Sequence, residues 1–352
     1  MISRRQLLGL AGGMLATAAL AGCTEDAPAP VEAAPAPTAA PVAVVAETKP
    51  EPAAADELSL VLDWVPNTNH TGLYVARDNG LFADEGIEME IVEPATGGRP
   101  QVVATGQADF GIDFQEFMTP ARAEGVPVVS VAAIIQHNTS GFASLKSSAV
   151  TRPRDFEGLT YGGFGSPLEF ALLQTMMEAD GGDFSKVTTV DAGAADFLTI
   201  IQRDVDLYWI FYGWQGVKAE LEGIEIETLF VKDWGVPDYY TPLIIASEDL
   251  IDTNPDVVTR AMSAISKGYA SAIADPAAAA EILLAAAPET DAALVGPSQE
   301  WLGPQYQADA PQWGHQDGAV WQTMSEWMAE QGLVEAVIDW EAAFTNDFLP
   351  AS

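Results

Sequence analysis

Residues 58–114 read LSLVLDWVPNTNHTGLYVARDNGLFADEGIEMEIVEPATGGRPQVVATGQADFGIDF, and the order of periods in this stretch decides the fold class. LSLVLDWV alternates Leu58, Leu60 and Leu62, the two-residue period of a strand. TGLYVARDNGLFADEG reads as a helix, a glycine break and a short turn. IEMEIVEP alternates again and stops at Pro94, GRPQVVATGQAD is helical, and FGIDF is the next strand. Strand, helix, strand, helix, strand predicts a parallel sheet with helical crossovers. Ligands of such sheets sit beyond the carboxyl ends of the strands, where Asp63, Trp64, Asp113 and Phe114 fall.

Downstream, LTYGGFGSPLEFALLQTMMEADGG repeats strand, glycine turn and helix. VTTVDAG, a helix through Arg203, and DLYWIFYGWQG complete a second set, and TPLIIASEDLI is a return strand. Beyond Asn254 the chain reads as mainly helical, with Trp313, Trp321 and Trp327 expected to pack the C-terminal helices. The expectation is an α/β fold of two lobes joined by crossing strands, with a cleft between them. Residues 58–145 with 243–350 form one lobe in this reading, and residues 146–242 form the other.

Upstream, the chain begins MISRRQLLGLAGGMLATAALAGC. Two arginines precede an apolar run too short and too rich in Gly and Ala for a membrane span, which predicts an export signal over residues 1–22. Ser3-Arg4-Arg5 also resembles a twin-arginine signal. Leu20-Ala21-Gly22-Cys23 matches the lipobox of bacterial lipoproteins, so Cys23 is expected to be the lipidated mature N-terminus, anchored on the periplasmic or extracytoplasmic face of a membrane. As the single cysteine of the chain it excludes an internal disulfide. The Ala/Pro-rich residues 23–57 cannot bury enough apolar surface to offset their ordering entropy and read as a semi-stiff tether.

The net charge of -36 argues against nucleic acid and anionic lipid as partners. Three histidines and one cysteine leave few metal ligands, and none has metal-site spacing. The phosphate-loop and Gly-x-Ser-x-Gly patterns are missing as well, so no metal, cofactor or catalytic residue is expected.

LVLDWVPNTNHTGLYVARDNGLF, IIQHNTSGFAS, YGGFGSPLE, WIFYGWQG and YQADAPQWG resemble the substrate-binding proteins of ABC transporters that import thiamine-pyrimidine precursors. That group is similar to the thiamine-pyrimidine synthases and to a riboflavin-importing branch. The resemblance covers roughly residues 58–350 and implies a type II periplasmic-binding fold with a hinge, an aminopyrimidine ligand, a permease as partner and a monomeric state. It also brings departures. Where the synthases carry a cofactor lysine this chain has Asp113, where they carry a sacrificial histidine it has Phe117, and in place of their cysteine-rich motif it has DYYTPLIIAS. A pyridoxal phosphate enzyme needs a lysine amine for its Schiff base, so a binding protein rather than an enzyme is expected.

An aminopyrimidine needs rings to stack on and partners for its N–H groups. Trp64, Phe114, Tyr212 and Trp214 are the candidate rings, each with core packing as the alternative. Glu116 and Glu169 are candidate acceptors, with Asp63 and Asp113 beside them; helix capping or a solvated face is the alternative. In GGFGSPLE, Gly165 and Ser166 form a turn that could aim backbone N–H groups into the cleft, while Ser166, Pro167 and Glu169 also match a capping box. Asn67, Asn69 and His70 suit a loop that bonds the ligand edge, with a structural role for His70 as the alternative; Tyr239, between Asp238 and Tyr240, suits the hinge or the cleft mouth.

Overall fold

The structure is a computed structural model that describes residues 54–94, 98–193 and 196–351. The expected signal segment, Cys23 and most of the tether lie outside the described residues. The first strand, β1 (Asp56–Val61), starts two residues inside the expected tether. Then follow α1 (Thr71–Asp78), α2 (Leu81–Asp84), β2 (Ile87–Val92), α3 (Arg99–Ala104), β3 (Phe110–Asp113), α4 (Gln115–Ala123) and β4 (Val128–Ala133). The second set holds β5 (Ser140–Leu145), β6 (Thr160–Gly163), α5 (Pro167–Ala179), β7 (Thr188–Asp191), α6 (Phe197–Ile201), β8 (Leu207–Phe211), α7 (Val217–Leu221) and β9 (Ile226–Phe230). The chain ends with β10 (Leu243–Ser247), α8 (Glu248–Thr253), α9 (Pro255–Ala274), α10 (Pro276–Ala286), α11 (Ala292–Gln307) and α12 (Gly318–Glu330).

Two five-stranded sheets result, in the orders β2-β1-β3-β10-β4 and β7-β6-β8-β5-β9. β1 pairs in parallel with β2 and β3, and β6 with β7 and β8, as the alternating sequence requires. The return strand β10 runs antiparallel between β3 and β4, and β5 runs antiparallel between β8 and β9. Every residue of β4 and β10 is buried, the state of sheet strands covered on both faces. By contrast β7 is an exposed edge.

The chain crosses between the sheets twice, at 134–139 and at 231–242. The sequence placed the first border at 145, but β5 already belongs to the second sheet because its backbone pairs with β8 and β9. The C-terminal assignment also needs correction. Met324, Trp327 and Met328 occupy one face of α12 and bury in the second lobe's core with Leu172, Leu173, Met176 and Met177 of α5. Trp313, stacked on Tyr269 at 4.3 Å, and Trp321, stacked on Phe344 at 5.7 Å, pack in the first lobe.

One close approach depends on glycine. α9 meets α1 so tightly that a Cβ on Gly268 would lie 2.1 Å from the carbonyl oxygen of Gly72. This packing holds the first turn of α1 against α9.

Candidate functional site

Asp63 and Trp64 follow β1. His70 is fully buried, with Nδ1 accepting from the Asn67 backbone N–H at 3.3 Å and Nε2 donating to Asp63 Oδ1 at 2.5 Å. Both ring nitrogens are thereby spent, and the tautomer with hydrogen on Nε2 follows. His70 thus orders its own loop and does not offer a free edge, and Asp63 is its partner. The Asn69 carbonyl accepts from the Tyr269 hydroxyl at 2.6 Å. Trp64 is 53% exposed, so of this group it is the ring left open.

β3 delivers the densest set. Asp113 is fully buried, and one of its oxygens, Oδ1, takes both Nε and Nη2 of Arg99, at 3.0 and 2.8 Å. Its other oxygen has no partner. Glu116 is 2% exposed; Oε1 accepts from Thr241 at 3.4 Å, and Oε2 has no partner. Burial pushes the Asp113 carboxyl up to about 6 against the pull of Arg99. Burial pushes Glu116 up to about 8, with the Asp113 charge acting in the same direction. At neutral pH Glu116 is therefore mainly a carboxylic acid, with one donor and one acceptor side by side. Phe114 is half-buried and stacks on Phe211 of β8 at 6.2 Å, a contact between rings from the two lobes. The Arg99 guanidinium lies 5.1 Å from the Phe114 centroid and 6.0 Å from that of Phe117, which is itself 46% exposed.

At the β6 end the arrangement differs. Ser166 caps α5, and Glu169 accepts from the backbone N–H groups of Phe164, Gly165 and Ser166 at 3.0 to 3.4 Å. Gly163 makes room for this, since a Cβ there would meet Glu169 Oε2 at 2.6 Å. The capping alternative thus describes Glu169, and the turn's N–H groups point to the carboxylate instead of to the cleft.

Three further candidate residues lie apart from the Phe114–Phe211 contact, although Tyr212 meets the Trp301 ring of α11 at 5.2 Å. Tyr212 donates to Glu220 and packs with Phe197, Ile210 and Ala219 on the α6–α7 side of the second sheet. Trp214 packs against Tyr74, Leu283 and Val295, because α11 pulls its turn onto the C-terminal helices through Ser298, which donates to the Gly213 carbonyl. Tyr239 is fully buried in the second crossing, so it belongs to the hinge and not to the mouth; its hydroxyl has no hydrogen-bond partner and lies beside Asn138 and Ser140. Beside it, His137 Nδ1 meets Asp238 at 2.6 Å and Nε2 meets Asp309 at 2.9 Å, tying the two crossings to the segment after α11.

Sequence reasoning missed Arg99, Phe211 and Trp209. Arg99 lies 14 residues before its partner Asp113, and Phe211 lies nearly a hundred after Phe114, so no local spacing joins them. Two open surface hollows of about 660 and 670 Å³ lie elsewhere, one between α4 and residues 333–339 and one along β1 and β2 near Asp109.

Comparison with known proteins agrees with this architecture. The chain is 30% identical over 300 residues to a formylaminopyrimidine-binding protein of Halalkalibacterium halodurans, covering 83% of this chain and 91% of that one. It is 27% identical to the riboflavin-binding protein RibY of Chloroflexus aurantiacus, covering 96% of each. A 4-amino-5-hydroxymethyl-2-methylpyrimidine phosphate synthase of Legionella pneumophila matches at 29% identity over 66% of this chain and 74% of the synthase. Among solved structures, the periplasmic aliphatic sulphonate binding protein SsuA of Escherichia coli superposes with a TM-score of 0.66 at 15% identity, covering 84% of this chain and 94% of that one. The fold is that of the periplasmic binding proteins. Residues 67–279 match the family described as NMT1/THI5 like. With more than half of its length matched and its cleft built on the two-lobed frame above, this chain belongs to the NMT1/THI5-like family.

Proposed function

We propose that this protein is an extracytoplasmic substrate-binding protein, held to a membrane by a lipid on Cys23, that captures an aminopyrimidine between its lobes and delivers it to an ABC permease. The observation that carries the reading is the pair of buried, unpartnered carboxyl oxygens, Asp113 Oδ2 and Glu116 Oε2, that flank Phe114. Buried polar groups without partners are rare, and a ligand is one thing that satisfies them. A protonated Glu116 has the complement of an aminopyrimidine edge: its O–H suits a ring nitrogen and its carbonyl suits the amino N–H. Trp64, Phe114 and Phe117 supply faces. The named ligand of the relative at 30% identity supports the same chemistry.

An enzyme of the synthase type would need an amine to hold pyridoxal phosphate. At the position where the resemblance puts the synthase lysine this chain has Asp113, which is paired with Arg99. Riboflavin is the second reading, supported by the relative that spans 96% of the chain.

Calorimetric titration of the wild-type protein tests the first reading. A formylated or hydroxymethyl aminopyrimidine should saturate one site, and riboflavin should not. Riboflavin binding with no aminopyrimidine binding reverses the choice. A Schiff-base absorbance band on incubation with pyridoxal phosphate would restore the enzyme. Cys23→Ser should release the protein into the soluble fraction or leave it unprocessed.

A further inference from the structure

Rings run in one column across the seam between the lobes. Phe114 at the end of β3 faces Phe211 at the end of β8 with centroids 6.2 Å apart and planes at 25°. Phe211 is backed by Trp209 at 5.7 Å, and Trp209 by Phe142 at 6.4 Å. The Arg99 guanidinium lies over the Phe114 ring, 5.1 Å from its centroid. Within this column the Phe114–Phe211 step joins rings from the two separate sheets, and both rings are half-buried.

Carbon atoms in contact sit about 3.5 Å apart, so a flat ring held between two others needs roughly 7 Å between the outer pair. At 6.2 Å between centroids Phe114 and Phe211 are in ordinary aromatic contact. Opening the lobes by up to one ring thickness, about 3.5 Å, would admit a planar ring, whereas a puckered ring would need more. We infer that Phe211 is a specificity-determining residue, forming with Phe114 a seam that takes a planar ring between the lobes and discriminates against a non-planar one. This rests on the binding reading proposed above and adds to it a residue on the second lobe and a criterion of ligand thickness. Trp209 packed on Phe211 and the Arg99 guanidinium over Phe114 brace the two faces.

The experiment compares wild type with Phe211→Ala, Phe211→Leu and Phe211→Tyr. The probes are 4-amino-5-hydroxymethyl-2-methylpyrimidine, riboflavin and a reduced, non-planar analogue of the pyrimidine, each titrated by calorimetry. Phe211→Ala and Phe211→Leu should weaken whichever flat probe the wild type binds by about 5- to 150-fold, the factor matching ~1–3 kcal/mol for one base–aromatic stack. Leucine keeps the apolar bulk, so an unchanged melting temperature in that variant separates lost stacking from lost folding. Phe211→Tyr keeps the face and should bind within about threefold of wild type. The non-planar probe should bind wild type more weakly than the flat one, and this preference should shrink in the Leu variant. Wild-type binding of a flat probe with Ala and Leu variants within twofold overturns the inference and leaves the binding reading intact. Failure of wild type to bind either flat probe overturns both.

Discussion

Two acids stand at equivalent places in the two lobes, each in the first turn of a helix that follows a strand. Glu169 follows β6, and Glu116 follows β3. Both are 2% exposed. Glu169 accepts from three backbone N–H groups at the start of its own helix. Glu116 has a single side-chain contact at 3.4 Å and an oxygen with none. The backbone explains the difference. GGFGSP coils a loop around its carboxylate, with Gly165 at φ 73°, whereas the chain passes from Asp113 straight through Phe114 into α4 with no side-chain cap. An acid enclosed by its own loop is spent on the backbone, whereas Glu116 in the same topological place keeps an oxygen unsatisfied.

That contrast breaks most visibly at Arg99. Arg99→Met leaves Asp113 buried without its cation and should cost ~3–5 kcal/mol of unfolding free energy at pH 8, the penalty of an uncompensated buried charge. Urea titration measures it, and the cost should shrink at pH 5, where Asp113, at about 6 even with Arg99 present, takes up a proton. Glu116→Gln comes next. The folded-state carboxyl sits at about 8, above its ordinary value of 4.5, so the folded state binds the proton more tightly than the unfolded one. Wild-type stability should therefore fall as pH rises from about 4.5 to 8 and then level off. The Gln variant lacks this loss and should exceed wild type above pH 8 by at most about 5 kcal/mol, with no difference near pH 4, at about 1.4 kcal/mol per pH unit. Aminopyrimidine affinity should fall above pH 8 in wild type and stay level in Glu116→Gln, which keeps a donor and an acceptor at every pH. A Gln variant that tracks wild type through this range would remove the proton from the site.

Glu169→Ala sharpens the comparison from the other side. It should cost about 1–2 kcal/mol of stability, as lost caps do, while aminopyrimidine affinity stays within about twofold. Weakened binding at unchanged stability would return Glu169 to the ligand. The smallest effect is expected at His137. Burial works against its charge, but the hydrogen bonds to Asp238 and Asp309 outweigh it and raise the pKa. The stabilisation is full below the unfolded value near 6.5 and disappears as pH rises through the folded value. The group is partly exposed and screened, so His137→Gln should cost only about 0.5 kcal/mol at pH 5.5 and less at pH 8.5.

Legibility followed the range of the interaction. Asp113, Phe114 and Glu116 were readable because a strand that ends in acids and a ring puts them at the carboxyl edge of the sheet, and the Ser166–Glu169 box was readable because capping spans three residues. Tyr212 and Trp214 do not join the Phe114–Phe211 contact. Their glycines and rings suggest a pocket, but α11, some eighty residues later, arrives to cover Trp214, and Glu220 takes the Tyr212 hydroxyl. Phe211 stood inside the same motif and carried no local mark.

Hydrophobic period and breaker residues by themselves determined the two strand–helix sets, the return strand and the strand ends where Asp113, Phe114 and Glu116 fall, because these depend on neighbours within a few turns. Which carboxyl is satisfied, which ring meets a ring of the other lobe and where Arg99 spends its charge were decided only in the folded chain. Burial and pairing there are set by segments a hundred residues apart, and desolvation, which pushes the Glu116 carboxyl up to about 8, exists only once those segments have closed around it.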